Sequence, residues 1–186
     1  MSLLLCFSGQ IGSGKSSVSA EVASVLGWAR VGFGEYLRSE IQRLGGDSGA
    51  REALQKLGQK RVESDATKFC QDVLDAGGFV PGDDFVVDGI RHVRIFDILT
   101  SIGAPSQAKL LYLHAQETTR LSRIGARDDV QDFARASVHD VEAELRDELP
   151  ERADGIVNAG NSFEQVVGDC LRLVENWRRE LPDSRR

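Results

Sequence analysis

The stretch Gly9-Gln10-Ile11-Gly12-Ser13-Gly14-Lys15-Ser16 decides how the rest of the chain is interpreted. It has the pattern G-x-x-x-x-G-K-S, follows a short apolar run at 3–8 and precedes an amphipathic stretch at 15–26. Glycines allow the backbone to curl until successive N–H groups face one point, and the following helix adds the partial positive charge of its N-terminus. A strand, this loop and a helix in that order predict a cradle for nucleotide phosphates, with an ordinary glycine turn as the alternative.

The residue types within and just after this loop predict separate roles at the nucleotide. Seven residues are expected to bind ATP: Gly9, Gly12, Ser13, Gly14, Lys15, Ser16 and Ser17. Lys15 is expected to act in catalysis at the β- and γ-phosphates, and the Ser16 hydroxyl to coordinate Mg²⁺. Ser17 can add one more hydrogen bond to a phosphate. ATP and Mg²⁺ are therefore the predicted cofactors.

Short apolar runs alternate with longer amphipathic stretches along the rest of the chain. Strands are predicted at 3–8, 29–31, 85–88, 109–113 and 155–157. Helices are predicted at 15–26, 34–44, 49–63, 65–76, 93–102, 117–126, 130–149 and 162–181. This alternation is typical of an α/β domain, and we expect a three-layer P-loop NTPase fold. Its core would be a doubly wound parallel sheet of about five strands, with helices on both faces and a small helical lid.

The length and composition favour one compact domain. The chain has 186 residues, of which 41% are hydrophobic and 28% charged, enough to bury a core without disulfides or metals. We expect a single domain over 1–181, with acceptor-binding helices at about 33–78, a lid at about 120–148 and a tail at 182–186.

Charge and cysteine content exclude several classes of function. The formal net charge of −6 argues against a nucleic acid polymer as partner, because such affinity rests on Lys and Arg. The three cysteines, Cys6, Cys70 and Cys170, lack C-x-x-C spacing and are interpreted as reduced, mostly buried thiols. The apolar start has no basic leader, so we expect a cytoplasmic protein without membrane association. The oligomeric state is left open.

A second acidic motif distinguishes transfer from hydrolysis. The predicted strand at 85–88 ends in Asp88-Gly89-Ile90-Arg91, where the Asp88 carboxylate is expected to bind Mg²⁺ and to take part in catalysis. The chain has no base-reading N-K-x-D, and glycine occupies the position where motor-type ATPases carry a water-activating Glu. The pattern therefore favours phosphoryl transfer to a bound acceptor, which requires exclusion of water.

Two segments carry a resemblance to a known family. Phe33-Gly34-Glu35-Tyr36-Leu37-Arg38 resembles the T-G-D-x-L-R segment of adenylate kinases and other nucleoside monophosphate kinases. Asp88-Gly89-Ile90-Arg91 is similar to their D-G-F-P-R segment, with one residue fewer and no proline. In that family the arginines of both segments bind the acceptor phosphate, and the resemblance implies this role for Arg38 and Arg91.

Two further segments extend the resemblance over most of the chain. Residues 51–58, R-E-A-L-Q-K-L-G, resemble a segment of deoxynucleoside monophosphate kinases. Residues 153–160, A-D-G-I-V-N-A-G, resemble a segment of dephospho-coenzyme A kinases. The resemblance implies a P-loop kinase related to these enzymes, with a small phosphorylated, nucleotide-like acceptor as partner.

Three residues of the acceptor region also have an interpretation that is independent of the resemblance. Glu35 and Arg38 lie three apart at the start of a predicted helix, so they share a face. They can present one acceptor and one donor to a substrate, or form an ion pair within the helix. Gln55 can bind the edge of a base through its amide, or lie in solvent.

A basic stripe follows the fourth predicted strand. Arg120, Arg123 and Arg127 fall at i, i+3 and i+7 of a helix, and planar guanidinium groups suit a phosphoryl group during transfer. In monophosphate kinases the matching region is the lid, so we expect Arg123 and Arg127 to act in catalysis and Arg120 to contact ATP. The alternative is a solvated helix with ion pairs to neighbouring acidic residues.

One asparagine near the last predicted strand is a candidate for nucleotide binding. Asn158 lies where backbone and amide groups can hold the adenine edge of ATP. The alternative is an Asn/Gly turn before the last helix.

These observations predict an ATP-dependent kinase that transfers the γ-phosphate to a nucleoside or deoxynucleoside monophosphate. An acceptor phosphate is already ionised near neutral pH, so positioning dominates catalysis. A first alternative is transfer to a hydroxyl of a small molecule such as dephospho-coenzyme A or a nucleoside, with Glu35 as the base. A second, of another class, is a nucleotide-binding regulatory protein with slow ATPase activity.

Overall fold

The computed structural model describes residues 2–47, 49, 51–125 and 143–180. The strands are β1 (Leu3–Ser8), β2 (Ala29–Gly32), β3 (Phe85–Ile90), β4 (Gln107–His114) and β5 (Gly155–Asn158). The helices are α1 (Lys15–Leu26), α2 (Phe33–Arg43), α3 (Arg51–Ala76), α4 (Val93–Ile102), α5 (Glu117–Gly125), a π-helix (Glu144–Glu148), α6 (Leu149–Arg152) and α7 (Phe163–Glu180). No helix within these residues combines the length and apolar character needed to cross a membrane.

The five strands form one parallel sheet in the order β2-β3-β1-β4-β5. The central strand β1 pairs with β3 on one side and with β4 on the other, and all six of its residues are buried. A strand that is covered on both faces is mostly apolar, and residues 3–7 of β1 are all apolar. The predicted α/β fold with a parallel sheet of about five strands is confirmed.

Alternate residues of β1 face two separate cores. Leu4 and Cys6 pack in a cluster that includes residues of α2, α3 and α4. Leu3, Leu5 and Phe7 pack in a second cluster with residues of α1 and α7. Because side chains alternate along a strand, one short apolar run serves both faces of the sheet. Helices therefore cover both faces, as expected for a doubly wound sheet.

Helix α3 consists of two helical pieces that meet at Asp65. This residue has non-helical φ and ψ of −160° and 89°, and its Oδ1 accepts a hydrogen bond from the backbone N–H of Lys68 at 2.8 Å. An aspartate that accepts from a backbone N–H three residues later is a typical helix N-cap. The separate helices predicted at 49–63 and 65–76 therefore correspond to the two pieces.

The described end of the expected lid differs from the prediction. The apolar pattern predicts an α-helix over 130–149, whereas Glu144–Glu148 is a π-helix. Its Leu145 is fully buried, and the carbonyl of Leu145 accepts a hydrogen bond from the buried hydroxyl of Tyr112 at 2.5 Å. A buried hydroxyl needs a hydrogen-bond partner. We therefore attribute the π-helical conformation of Glu144–Glu148 to this tertiary contact and not to the local sequence pattern. The rest of the predicted helix lies outside the described residues.

The three cysteines are free thiols buried in the core, as expected. Burial disfavours the charged thiolate and raises the pKa of Cys70 and Cys170 to about 12. The pKa of Cys6 is raised for the same reason. The thiols therefore stay protonated at neutral pH and act as small apolar side chains.

Candidate active site

The predicted phosphate loop lies at the carboxyl end of the central strand, between β1 and α1. Gly9, Gly12 and Gly14 have positive φ values of 148°, 83° and 84°. The backbone N–H of Ser13 donates to the carbonyl of Gln10 at 3.1 Å and closes a tight turn. In open parallel sheets, ligands bind at the carboxyl ends of the strands, so the loop stands where a nucleotide is expected.

Close packing against α5 limits the size of the residue at position 12. An added β-carbon on Gly12 would lie 2.7 Å from the carbonyl oxygen of Arg120 and 3.0 Å from its Cα. These are backbone atoms, so a side chain at this position would force the loop and the helix apart. The glycine is required both by its positive φ and by this contact.

Two arginines of α5 bind backbone carbonyls of the phosphate loop. Nη1 of Arg120 donates to the carbonyl of Ile11 at 3.3 Å, and Nη1 of Arg123 donates to the carbonyl of Ser13 at 3.1 Å. Nη2 of Arg123 also donates to the carbonyl of Ala159 at 2.8 Å. In a planar trans peptide the C=O and N–H point in opposite directions, so binding of the carbonyls orients loop N–H groups away from α5.

The contacts of Arg120 and Arg123 argue against the alternative interpretation of the basic stripe as a solvated helix. Arg120 is 8% exposed, and Arg123 joins the phosphate loop to the turn after β5, so neither lies on a solvated face. Both lie beside the phosphate loop, and their assignment to nucleotide contact and catalysis stays a prediction. Arg127 lies outside the described residues.

Asp88 lies near the carboxyl end of β3, the strand next to β1. The residue is 4% exposed, and its Oδ2 accepts a hydrogen bond from Nη2 of Arg30 at 3.1 Å. Its Oδ1 is buried and has no hydrogen-bond partner among the described residues. A buried carboxylate oxygen without a partner is costly in free energy, and a cation at this position would relieve the cost.

The donor set fits the predicted cofactors. Mg²⁺ in kinases is held by one or two side-chain oxygens together with phosphate oxygens and water. Asp88 offers a buried oxygen, and Ser16 lies in the first turn of α1. The hydroxyl of Ser13 is also buried without a partner among the described residues. The glycine turn and these three oxygens together suit a magnesium-bound triphosphate.

The two acceptor segments of the sequence meet at this edge of the sheet. Gly89 lies beside the start of α2, because an added β-carbon would be 3.7 Å from Cβ of Phe33. Arg91 follows two positions later and has a contact within the protein. The first piece of α3, which carries Gln55, packs on α2 through Gly58, whose added β-carbon would lie 3.2 Å from Leu37.

Glu35 and Arg38 do not form the ion pair that was the alternative interpretation. Both oxygens of Glu35 accept hydrogen bonds from Nη1 of Arg30, at 2.9 and 3.0 Å. Arg38 is exposed and forms no ion pair or hydrogen bond with the described residues, and its Nη1 lies near Gly34. Its charge is thus available to an anion at the start of α2.

Asn158 has the local geometry of a turn. Its Oδ1 accepts a hydrogen bond from the N–H of Gly160 at 3.0 Å, which is the Asx turn of the alternative interpretation. The turn is also the one whose Ala159 carbonyl binds Arg123. A contact between Asn158 and ATP stays a prediction.

Sequence reasoning missed two features near this site. Arg30 lies in β2 and contacts both Glu35 and Asp88, and a charged residue inside a short predicted strand was the available signal. Glu144 accepts hydrogen bonds from the backbone N–H of Val93 at 3.1 Å and contacts Nδ1 of His92 at 3.0 Å. It therefore caps α4 directly after the acceptor segment, although no local pattern links these positions.

Comparison with solved structures identifies the fold. A gluconokinase from Sinorhizobium meliloti 1021 has a TM-score of 0.59 at 18% identity, over 97% of this chain and 98% of that one. The fold is that of small P-loop kinases. Shikimate kinases from Aquifex aeolicus vf5 and, with shikimate bound, from Acinetobacter baumannii have TM-scores of 0.55 and 0.63 at 15% and 16% identity. They cover 94% and 95% of this chain, which covers 97% and 94% of theirs.

No protein-family model matches the sequence, and the search of curated proteins gave no match. Identities of 15–18% to these kinases establish the architecture alone, so the activity and its substrates are inferred from the site. The more specific resemblance to nucleoside monophosphate kinases stays a hypothesis.

Proposed function

We propose that this chain is an ATP-dependent kinase that transfers the γ-phosphate to a small phosphorylated acceptor, a nucleoside or deoxynucleoside monophosphate. The observation that carries the proposal is the buried Asp88 carboxylate beside the phosphate loop, with one oxygen that has no partner among the described residues. That arrangement is the one a magnesium-bound triphosphate requires. The glycine after Asp88 leaves no carboxylate there to activate water.

The proposed reaction depends on positioning. Loop N–H groups and Lys15 would hold the β- and γ-phosphates, and Ser16 and Asp88 would hold Mg²⁺, which would supply positive charge to offset that of the phosphates. An oxygen of the acceptor phosphate attacks the γ-phosphorus in line, and the bond from that phosphorus to the bridging oxygen of ADP breaks. Arg38 and Arg91 orient the acceptor phosphate, and the arginines of α5 keep the loop aligned.

A second candidate is transfer to a hydroxyl. The side chain of Glu35 is 53% exposed at the start of α2, where a carboxylate could act as the base that deprotonates a hydroxyl. Solved structures similar to this chain include a gluconokinase and shikimate kinases. Both oxygens of Glu35 accept hydrogen bonds from Arg30, so a proton taken up by this carboxylate would remove the negative charge that pairs with the guanidinium. This contact favours an acceptor that is ionised before it binds.

Release of ADP from MgATP, measured with a panel of acceptors, tests the proposal. The panel contains nucleoside and deoxynucleoside monophosphates, nucleosides, dephospho-coenzyme A, gluconate and shikimate. Stimulation by one class of monophosphate supports the first candidate, and stimulation by a hydroxyl compound alone supports the second. Slow release that no acceptor stimulates indicates a regulatory nucleotide-binding protein instead.

An arginine substitution separates acceptor binding from nucleotide binding. Arg38→Ala should raise the acceptor KM about tenfold or more, equivalent to about 1.4 kcal/mol, with ATP affinity unchanged. Arg179→Ala, at an exposed ion pair in α7, is the matched control. Absence of magnesium-dependent ATP binding in calorimetry would refute the kinase proposal as a whole.

A further inference from the structure

Arg30 joins three elements around the candidate site. From β2, its Nη1 donates to Glu35 in the first turn of α2, and its Nη2 donates to Asp88 in β3. Its Nε donates to the hydroxyl of Ser19 in α1 at 3.0 Å. The Arg30 side chain is only 15% exposed, so these are partly desolvated, charge-assisted hydrogen bonds.

The contact with Ser19 continues to the phosphate loop. The buried Ser19 hydroxyl donates to the carbonyl of Ser16 at 3.1 Å while it accepts from Arg30. One connected chain of hydrogen bonds thus runs from the backbone of Ser16 through Arg30 to the Asp88 carboxylate. Ser16 and Asp88, at the two ends of this chain of hydrogen bonds, are the residues expected to face Mg²⁺.

The charges around Arg30 explain why a rigid cation is needed there. Glu35 in the first turn of α2 and Asp88 in β3 carry like charges, and one guanidinium contacts both carboxylates. The planar fork of an arginine donates in three fixed directions at once, whereas the ammonium of a lysine is a point charge on a flexible stem. The side chain of Glu35 is 53% exposed and that of Asp88 only 6%. Arg30 therefore connects an exposed carboxylate, expected to face the acceptor, with a buried carboxylate, expected to face the metal.

We propose that Arg30 is a positioning residue that fixes the Asp88 carboxylate for the metal and the Glu35 carboxylate for the acceptor. It touches neither substrate and acts through those two side chains and Ser19. The inference rests on the proposed kinase function, because it presumes that Asp88 faces Mg²⁺. An error of about 1 Å in such positions costs about 100-fold in rate.

Three variants test the proposal. Arg30→Met removes the charge and keeps the length, Arg30→Lys keeps the charge without the fork, and Arg172→Met at a surface ion pair of α7 is the control. The first measurement is ATP affinity with and without Mg²⁺, which needs no turnover. We expect Arg30→Met to bind metal-free ATP like wild type and to lose most of the increase in affinity that Mg²⁺ produces.

Kinetics supply the second measurement. Arg30→Met should lower kcat about 100-fold and raise the KM for MgATP, in line with its weaker magnesium-dependent binding, and Arg30→Lys should recover at most about tenfold of the loss in kcat. Combination with Glu35→Gln should be non-additive in acceptor KM, because the two residues act through one contact. A purely structural role would instead lower the melting temperature and the metal-free ATP affinity together.

Two results overturn the proposal. One is wild-type magnesium dependence in Arg30→Met, and the other is full recovery by Arg30→Lys, which would show that the fork is not needed. If Arg30→Met does not fold, Arg30→Lys alone decides between these outcomes. If no acceptor stimulates the wild-type protein, the kinase proposal fails, while the comparison of magnesium dependence still tests Arg30.

Discussion

Replacing Gly12 with alanine tests whether the phosphate loop is held by its fit against α5. The backbone at Gly12 has a φ of 83°, a conformation that costs an alanine about 1–2 kcal/mol. The new β-carbon would lie 2.7 Å from the carbonyl oxygen of Arg120, and overpacking of this kind adds about 1–3 kcal/mol. The two effects together should lower the free energy of unfolding by about 3 kcal/mol.

Thermal denaturation followed by circular dichroism measures this loss, with Gly27→Ala as the matched control. Gly27 has a φ of 68°, but its added β-carbon would meet no atom within 4 Å. In a chain of this size each kcal/mol lowers Tm by about 2–4 °C. Gly12→Ala should therefore melt about 6–12 °C below wild type, and Gly27→Ala, which carries only the backbone cost, about 3–6 °C below it.

Nucleotide binding provides the second measurement on the same pair of variants. The loop N–H groups move with the displaced backbone, so Gly12→Ala should bind ATP at least about tenfold more weakly in calorimetry, equivalent to about 1.4 kcal/mol. Gly27→Ala should bind ATP like wild type. If the two variants melt at the same temperature and bind ATP equally well, the steric explanation of the loop is wrong.

Three further predictions concern the scaffold around the site. Glu144→Gln removes the charged cap of α4 and should lower the free energy of unfolding in urea by about 1 kcal/mol. Tyr112→Phe deprives the Leu145 carbonyl of its hydroxyl donor and should cost about 1–3 kcal/mol in the same assay. Because burial raises the pKa of Cys70 and Cys170 to about 12, both thiols are protonated at about pH 8, where a thiol reagent should label neither before unfolding.

The features that were predictable from the sequence are those encoded by neighbouring residues. The phosphate loop has every part within one short stretch, so its glycines and the start of α1 at Lys15 followed directly from the pattern. The break at Asp65 was predictable for the same reason, since an N-cap is a local signal. The alternation of strands and helices indicated a parallel sheet, although its strand order is visible only in three dimensions.

Contacts between distant parts of the chain escaped prediction. Arg30 and Asp88 are 58 positions apart, and Arg123 binds the carbonyl of Ser13 across 110 positions. No periodicity connects such pairs, because β2 and β3 are neighbours in the sheet while α2 and α3 separate them in sequence. The alternative interpretation of Glu35 failed for another reason, because its partner Arg30 is only five positions away but lies in β2 instead of in the same helix.

The central place of β1 also has a consequence for biosynthesis. Leu4 lies opposite both Phe85 and Ala108, so the strand that leaves the ribosome before the others cannot complete its ladders until β4 has been made. Until then a largely apolar strand lacks one of its partners and is prone to aggregate or to require a chaperone. Slow translation before residue 107 should therefore lower the yield of native protein more than a pause of equal length after residue 114, which pulse labelling with protease digestion would measure.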